Sequence, residues 1–96
     1  MSTVHTNNEG TFSGARLLAS APGRILAILA SHAESASQTL SFYDGLNAST
    51  SLLFRLHIPP GSTPRYLVFP VHCAPSFRLG LYVEAGACTV HISWIA

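Results

Sequence analysis

The stretch from Phe77 to Trp94 constrains the fold more than any other part of the chain. Leu81 and Val83 alternate with Tyr82 and Glu84, and further on Val90, Ile92 and Trp94 alternate with Thr89, His91 and Ser93. Strict alternation of this kind marks half-buried β-strands. Between the two runs lies Glu84-Ala85-Gly86-Ala87, and Gly86 supplies the backbone freedom of a tight turn. The stretch is therefore expected to be a β-hairpin against which the rest of the chain pairs or packs.

The preceding sequence repeats the pattern. Gln38–Tyr43 sets Leu40 and Phe42 against Thr39, Ser41 and Tyr43, and Asp44-Gly45 turns it. In Ser51–Ile58, Leu52, Phe54, Leu56 and Ile58 are expected inward and Arg55 and His57 outward; Pro59-Pro60-Gly61 ends that run. Tyr66–Val71, bracketed by Pro64 and Pro70, reads as an edge strand. Ala15–Ser20 suits a short strand. Arg24–His32 fits either the face of a helix or a buried strand, and local rules leave both open. Short strands at this spacing, with turn residues between them, predict an all-β sandwich or barrel. Residues 1–21 begin polar and are expected to form an extended N-terminal arm, with the β-sandwich domain over residues 22–96. The polar start lacks the basic region of a signal peptide, and no run reaches the roughly 20 apolar residues of a membrane span.

Charge content matters next. Only 9% of the 96 residues are charged, against about 25% in ordinary soluble domains. A small domain normally covers its surface with charge, so part of this surface is expected to be buried against other subunits or partners. All five basic residues are arginine (Arg16, Arg24, Arg55, Arg65 and Arg78). Arginine is favoured over lysine at interfaces, although codon usage explains the bias equally well. A net charge of +1 argues against a nucleic-acid partner, which requires a basic stripe.

Nothing in the sequence announces catalysis or a cofactor. The acids are Glu9, Glu34, Asp44 and Glu84, and no two have the short spacing of paired acid-base work. Asp44, preceding a glycine, is expected to bond the backbone of its turn. The histidines are His5, His32, His57, His72 and His91. A metal cluster of His72 and Cys73 with Cys88 and His91 is disfavoured, because residues an odd number apart on a strand point to opposite faces. His57 and His91 are expected as exposed strand residues. Cys73 and Cys88 lie near neighbouring predicted strands, yet free, buried thiols are expected of them. Asn47-Ala48-Ser49 matches a glycosylation sequon, a weak match. Tyr66, Tyr82 and Trp94 suit core or subunit-interface packing better than a stacking platform for a sugar or base.

Several pieces resemble small virion proteins of tailed bacteriophages, in the group of capsid decoration, cement and head-spike-base proteins. They are Pro22-Gly23-Arg24-Ile25-Leu26, Leu40-Ser41-Phe42-Tyr43-Asp44-Gly45, Leu67-Val68-Phe69-Pro70, and Phe77 to Glu84 with the alternating run through Trp94. The resemblance spans residues 22–94. It implies a β-sandwich or small jelly roll of about six to eight antiparallel strands, and favours a strand over residues 24–32. It further implies no enzymatic activity, no cofactor, and an oligomer, a homotrimer in this reading, bound to a major capsid protein on the outside of a virion. Arg55, Arg65 and Arg78 become candidate anchors to the shell, and Tyr66, Tyr82 and Trp94 candidate interface aromatics. The alternative is a vertex spike, head fibre or tail-associated protein that binds a host glycan.

Overall fold

A computed structural model describes residues 7–61, 64–70 and 73–95. Among these residues seven strands are formed: β1 (Asn7–Ala19), β2 (Gly23–Ser31), β3 (Gln38–Asp44), β4 (Ser51–Ile58), β5 (Arg65–Val68), β6 (Ser76–Phe77) and β7 (Leu81–Ile95). All pairings are antiparallel, and the all-β sandwich or barrel expected from the alternation is present as one curled antiparallel sheet.

β7 organises the fold. Its first residues, 81–84, pair with β3 on one side and with Ala15–Ala19 of β1 on the other. Its last residues, 89–95, pair with β2 on one side and with Asn7–Ser13 of β1 on the other. The strand thus serves two sheet halves, ordered β4-β3-β7-β1 and β5-β2-β7-β1, with β6 at the start of β2. The buried residues explain how one strand does this. Leu81, Val83 and Ala85 are buried on odd positions, and Cys88, Val90, Ile92 and Trp94 on even ones. The phase changes at Gly86, whose φ of 58° lies in the left-handed region, and the partner strand breaks register at the same level through Gly14, φ 77°. Paired irregularities in both strands bend the ribbon. The bend brings the halves face to face: a Cβ placed on Gly10 would lie 3.5 Å from Leu18 Cδ2 and 3.7 Å from Trp94. The 20 Å shortest dimension of the molecule suits two layers about 10 Å apart with their outer side chains.

Between the layers lies one apolar cluster, which includes Ile25, Ile28, Leu40, Phe42, Ile58, Phe77, Val83, Ile92 and Trp94. Phe42 and Phe54 stack within it, ring centroids 4.5 Å apart at 15°.

Four expectations require correction. The predicted hairpin is a single bent strand, because the Gly86 irregularity displaces the register without reversing the chain; residues 81–84 and 89–95 both pair with β1. The predicted arm is, over Asn7–Ala19, an integral strand, held because β7 needs a partner along its whole length on that side; residues 1–6 lie outside the described residues. Leu52 points outward and is 42% exposed, since an irregularity opposite Phe42 and Tyr43 inserts one residue and reverses the alternation of β4. β5 stops at Val68, earlier than expected, with Val71 outside the described residues. Residues 24–31, open between helix and strand on local rules, belong to β2.

Candidate functional site

The six candidate interface residues do not converge. Arg55 is exposed on β4 opposite Ser41. Arg65 and Tyr66 are exposed on the edge strand β5, with Tyr66 opposite Leu29. Arg78 is exposed in the segment before β7. Tyr82 is half-buried on the outer face of the other sheet half, 6.2 Å from Tyr43 between ring centroids. Trp94 is a core residue, 8% exposed, because it occupies an inward position of β7 and fills the space left by Gly10. Its place among the interface aromatics is therefore corrected, and it forms no surface platform with Tyr66 and Tyr82.

The outer faces carry two kinds of pattern. On the face of β5-β2-β7-β1, Tyr66, Val68 and Leu29 form an apolar margin. Beside it, Thr11 Oγ1 lies 2.7 Å from His91 Nδ1, and His91 Nε2 lies 3.3 Å from Glu9 Oε1, with Ser93 Oγ donating to the same carboxylate at 3.5 Å. These groups sit on an open sheet face, and their bonds tie β1 to β7. A second cross-strand pair, Thr39 Oγ1 with His57 Nδ1 at 3.0 Å, joins β3 to β4.

The face of β4-β3-β7-β1 carries a stripe that crosses all four strands in register: Leu52, Tyr43, Tyr82 and Leu17. One step along the strands runs a second row, Arg55, Ser41, Glu84 and Ala15. No single segment of sequence reveals the stripe, because its members come from four strands and only their register joins them.

Asp44 closes the end of this face. Its Oδ1 accepts hydrogen bonds from the backbone N–H of Arg78 at 2.9 Å and of Leu79 at 2.8 Å, and Gly45 N–H donates to Gly80 O at 3.2 Å. Asp44 thus bonds backbone, as expected, but that of a distant segment rather than its own turn. The local role falls to Asn47, whose Oδ1 accepts from Ser49 N–H at 2.8 Å. Burial pushes the Asp44 carboxyl up, but the bonds from Leu79, Arg78 and Gly80 and the charge of Arg78 outweigh it, and the group sits below its ordinary value. Because the folded-state value is depressed, the clasp contributes stability above the unfolded value of about 4 and loses it as pH falls through the folded value. Asp44→Ala is expected to cost about 1 kcal/mol at neutral pH, and the difference from the parent should shrink in strong acid, where the neutral carboxyl accepts more weakly. Urea unfolding at several pH values checks this.

Both cysteines are free. Cys88 is buried, as expected, and burial pushes its thiol up. Cys73 is exposed, against expectation, because it lies in a turn before β6, where its N–H bonds Pro70 O at 2.9 Å, and not on a strand. An aromatic disulfide reagent should titrate Cys73 in the folded protein and Cys88 only after denaturation. Equal reactivity of both thiols under native conditions would contradict this placement. Among the described residues, no group of three or more His, Cys, Asp or Glu side chains is arranged to hold a metal ion; His72 lies outside those residues.

His32 is the one buried polar side chain among the described residues. Its Nε2 donates to Pro59 O at 2.8 Å and its Nδ1 accepts from Glu34 N–H at 3.0 Å. Both ring nitrogens are thereby used, and the side chain ties the β2–β3 connection to the end of β4. Its role is structural.

Fold and surface together define a β-sandwich of low charge whose two outer faces both expose apolar side chains. No family model matches the sequence, and no curated protein matches it. Among solved structures, the chain is similar to one in the cryo-EM structure of the extra small virus virus-like particle of the giant freshwater prawn Macrobrachium rosenbergii. The identity is 12%, the match covers 99% of this chain and 81% of that one, and the TM-score is 0.38.

Proposed function

We propose that this chain is a structural protein of a virion, without enzymatic activity, that acts by packing as an oligomer against a protein shell. In its finer form it is a decoration or cement protein on the outside of a phage capsid, a homotrimer bound to the major capsid protein. One observation carries the reading. A 96-residue domain with nine charged residues exposes Leu17, Leu29, Leu46, Leu52, Tyr66, Val68 and Leu79. Apolar residues spread over two faces, with little charge to solvate the rest, suit a subunit whose surfaces are covered in an assembly. Burial of such side chains contributes about 25 cal/mol per Å² before the cost of association is met. Repetition of the contact over many sites then turns weak binding into firm clamping.

The test is the mass of the purified chain by light scattering at micromolar concentration, followed by addition to undecorated capsids. A trimer that raises the temperature at which those capsids open supports the proposal. A chain that stays monomeric at every concentration and leaves capsids unprotected sinks it.

A further inference from the structure

We infer that the outer face of β4-β3-β7-β1 is a contact surface for a second copy of this chain, docked about a two-fold axis that runs along β3. The inference rests on the reading of the chain as an assembling structural protein and names the surface it uses. The apolar row Leu52, Tyr43, Tyr82 and Leu17 spans the whole width of this sheet half. Leu17 and Leu52, at its two ends, are 43% and 42% exposed. Leu46 and Leu79 are exposed at the same end of the sheet, where the bond from Gly45 N–H to Gly80 O holds their loops together.

The neighbouring row identifies the occupant. Arg55 and Glu84 are its two charged members, one on each side of Ser41. They stand two strand spacings apart, about 10 Å. Among the described residues neither has an ion-pair partner. A two-fold rotation about β3 keeps every row in place and exchanges β4 with β7. Arg55 then faces the partner's Glu84, and Glu84 faces the partner's Arg55. The same rotation lays Tyr43 on the partner's Tyr43 and Leu52 on the partner's Tyr82, while Leu17 flanks the partner's Leu52. Face-to-face sheets pack about 10 Å apart with nearly aligned strands, a gap that an arginine side chain spans. A face with one positive and one negative position, placed symmetrically about its middle strand, is complementary to itself, which is the requirement of an isologous contact.

The experiment is sedimentation of the full chain over a range of micromolar concentrations, with charge swaps. The parent is expected to double its mass as concentration rises, from one chain to two or, where the chain is already a trimer, from three to six, because a two-fold contact adds to a three-fold one and does not replace it. Arg55→Glu alone and Glu84→Arg alone should each weaken that step roughly tenfold or more. The double variant should return to within about threefold of the parent. Thermal melts establish that each variant is folded. If both single variants double as the parent does, this face is not the contact, although other self-association would leave the assembly reading standing. If the singles weaken and the double does not recover, the docking about β3 is wrong. A parent whose mass never doubles, a trimer that goes no further included, overturns the contact.

Discussion

Phe42→Ala is expected to remove about 3–5 kcal/mol of folding stability. Phe42 is fully buried on β3, opposite Phe54 on one side and Val83 on the other. Its ring stacks on Phe54 at 4.5 Å. Truncation would leave a ring-sized void at the junction of three strands, where paired backbones on both sides prevent collapse. A chain of 96 residues has about 5–14 kcal/mol in all, so the loss is a large share of the total. The midpoint of thermal unfolding should fall by at least about 12 °C. Phe54→Ala should cost less, because Phe54 lies on the edge strand β4 and is half-buried already. A melt of Phe42→Ala within about 3 °C of the parent would mean that this ring is not a core residue.

Much of the fold was legible because its strands obey simple alternation. β3 and most of β4 follow from Leu40, Phe42, Phe54, Leu56 and Ile58, and Pro59 ends β4 where expected. The unreadable parts share a cause, which is that local pattern does not report what lies across the sheet. The change of phase in β7 is visible in the sequence, but a turn and a bulge at Gly86 produce the same change. Only pairing of both flanks with one continuous β1 separates them. β1 itself hides because its inward positions are mixed: Phe12 and Leu18 pack against the core, but Gly10 must yield its space to Trp94, and Asn8 faces that same residue on β7. β2 was ambiguous because Leu29 and Ala27 are apolar on the outward side as well, so the run reads as continuous. Of the candidate interface residues, Arg55 and Tyr82 fall on the stripe-bearing face. Tyr43, Leu52, Leu17 and Glu84 were not singled out, because their role comes from register and not from any motif.

Gly23→Ala is expected to cost about 3 kcal/mol or more, or to prevent folding. A Pro-Gly pair such as Pro22-Gly23 ordinarily breaks a chain, yet Gly23 is the first residue of β2, paired with Phe77 of β6. A Cβ there would fall on the carbonyl oxygen of Ile95 and lie 2.7 Å from Cζ of Phe77. Neither obstacle can give way. The Ile95 backbone is fixed by pairing with Arg24, and Phe77 is 1% exposed in the core. The added methyl must therefore push β7 or β6 off β2, at the point where Ile25 N–H also bonds Pro75 O at 2.9 Å. Gly14→Ala is the informative comparison. A Cβ at Gly14 meets nothing within 4 Å, and only its φ of 77° opposes a side chain, so that change should cost about 1–2 kcal/mol. With about 4–8 °C of melting temperature per kcal/mol in a domain of this size, Gly23→Ala should melt well below Gly14→Ala. The reverse order would show that β2, β6 and β7 do not approach one another this closely. The same approach fixes the end of β7 against β2, and through β7 it holds both sheet halves in the relation that sets the outer faces.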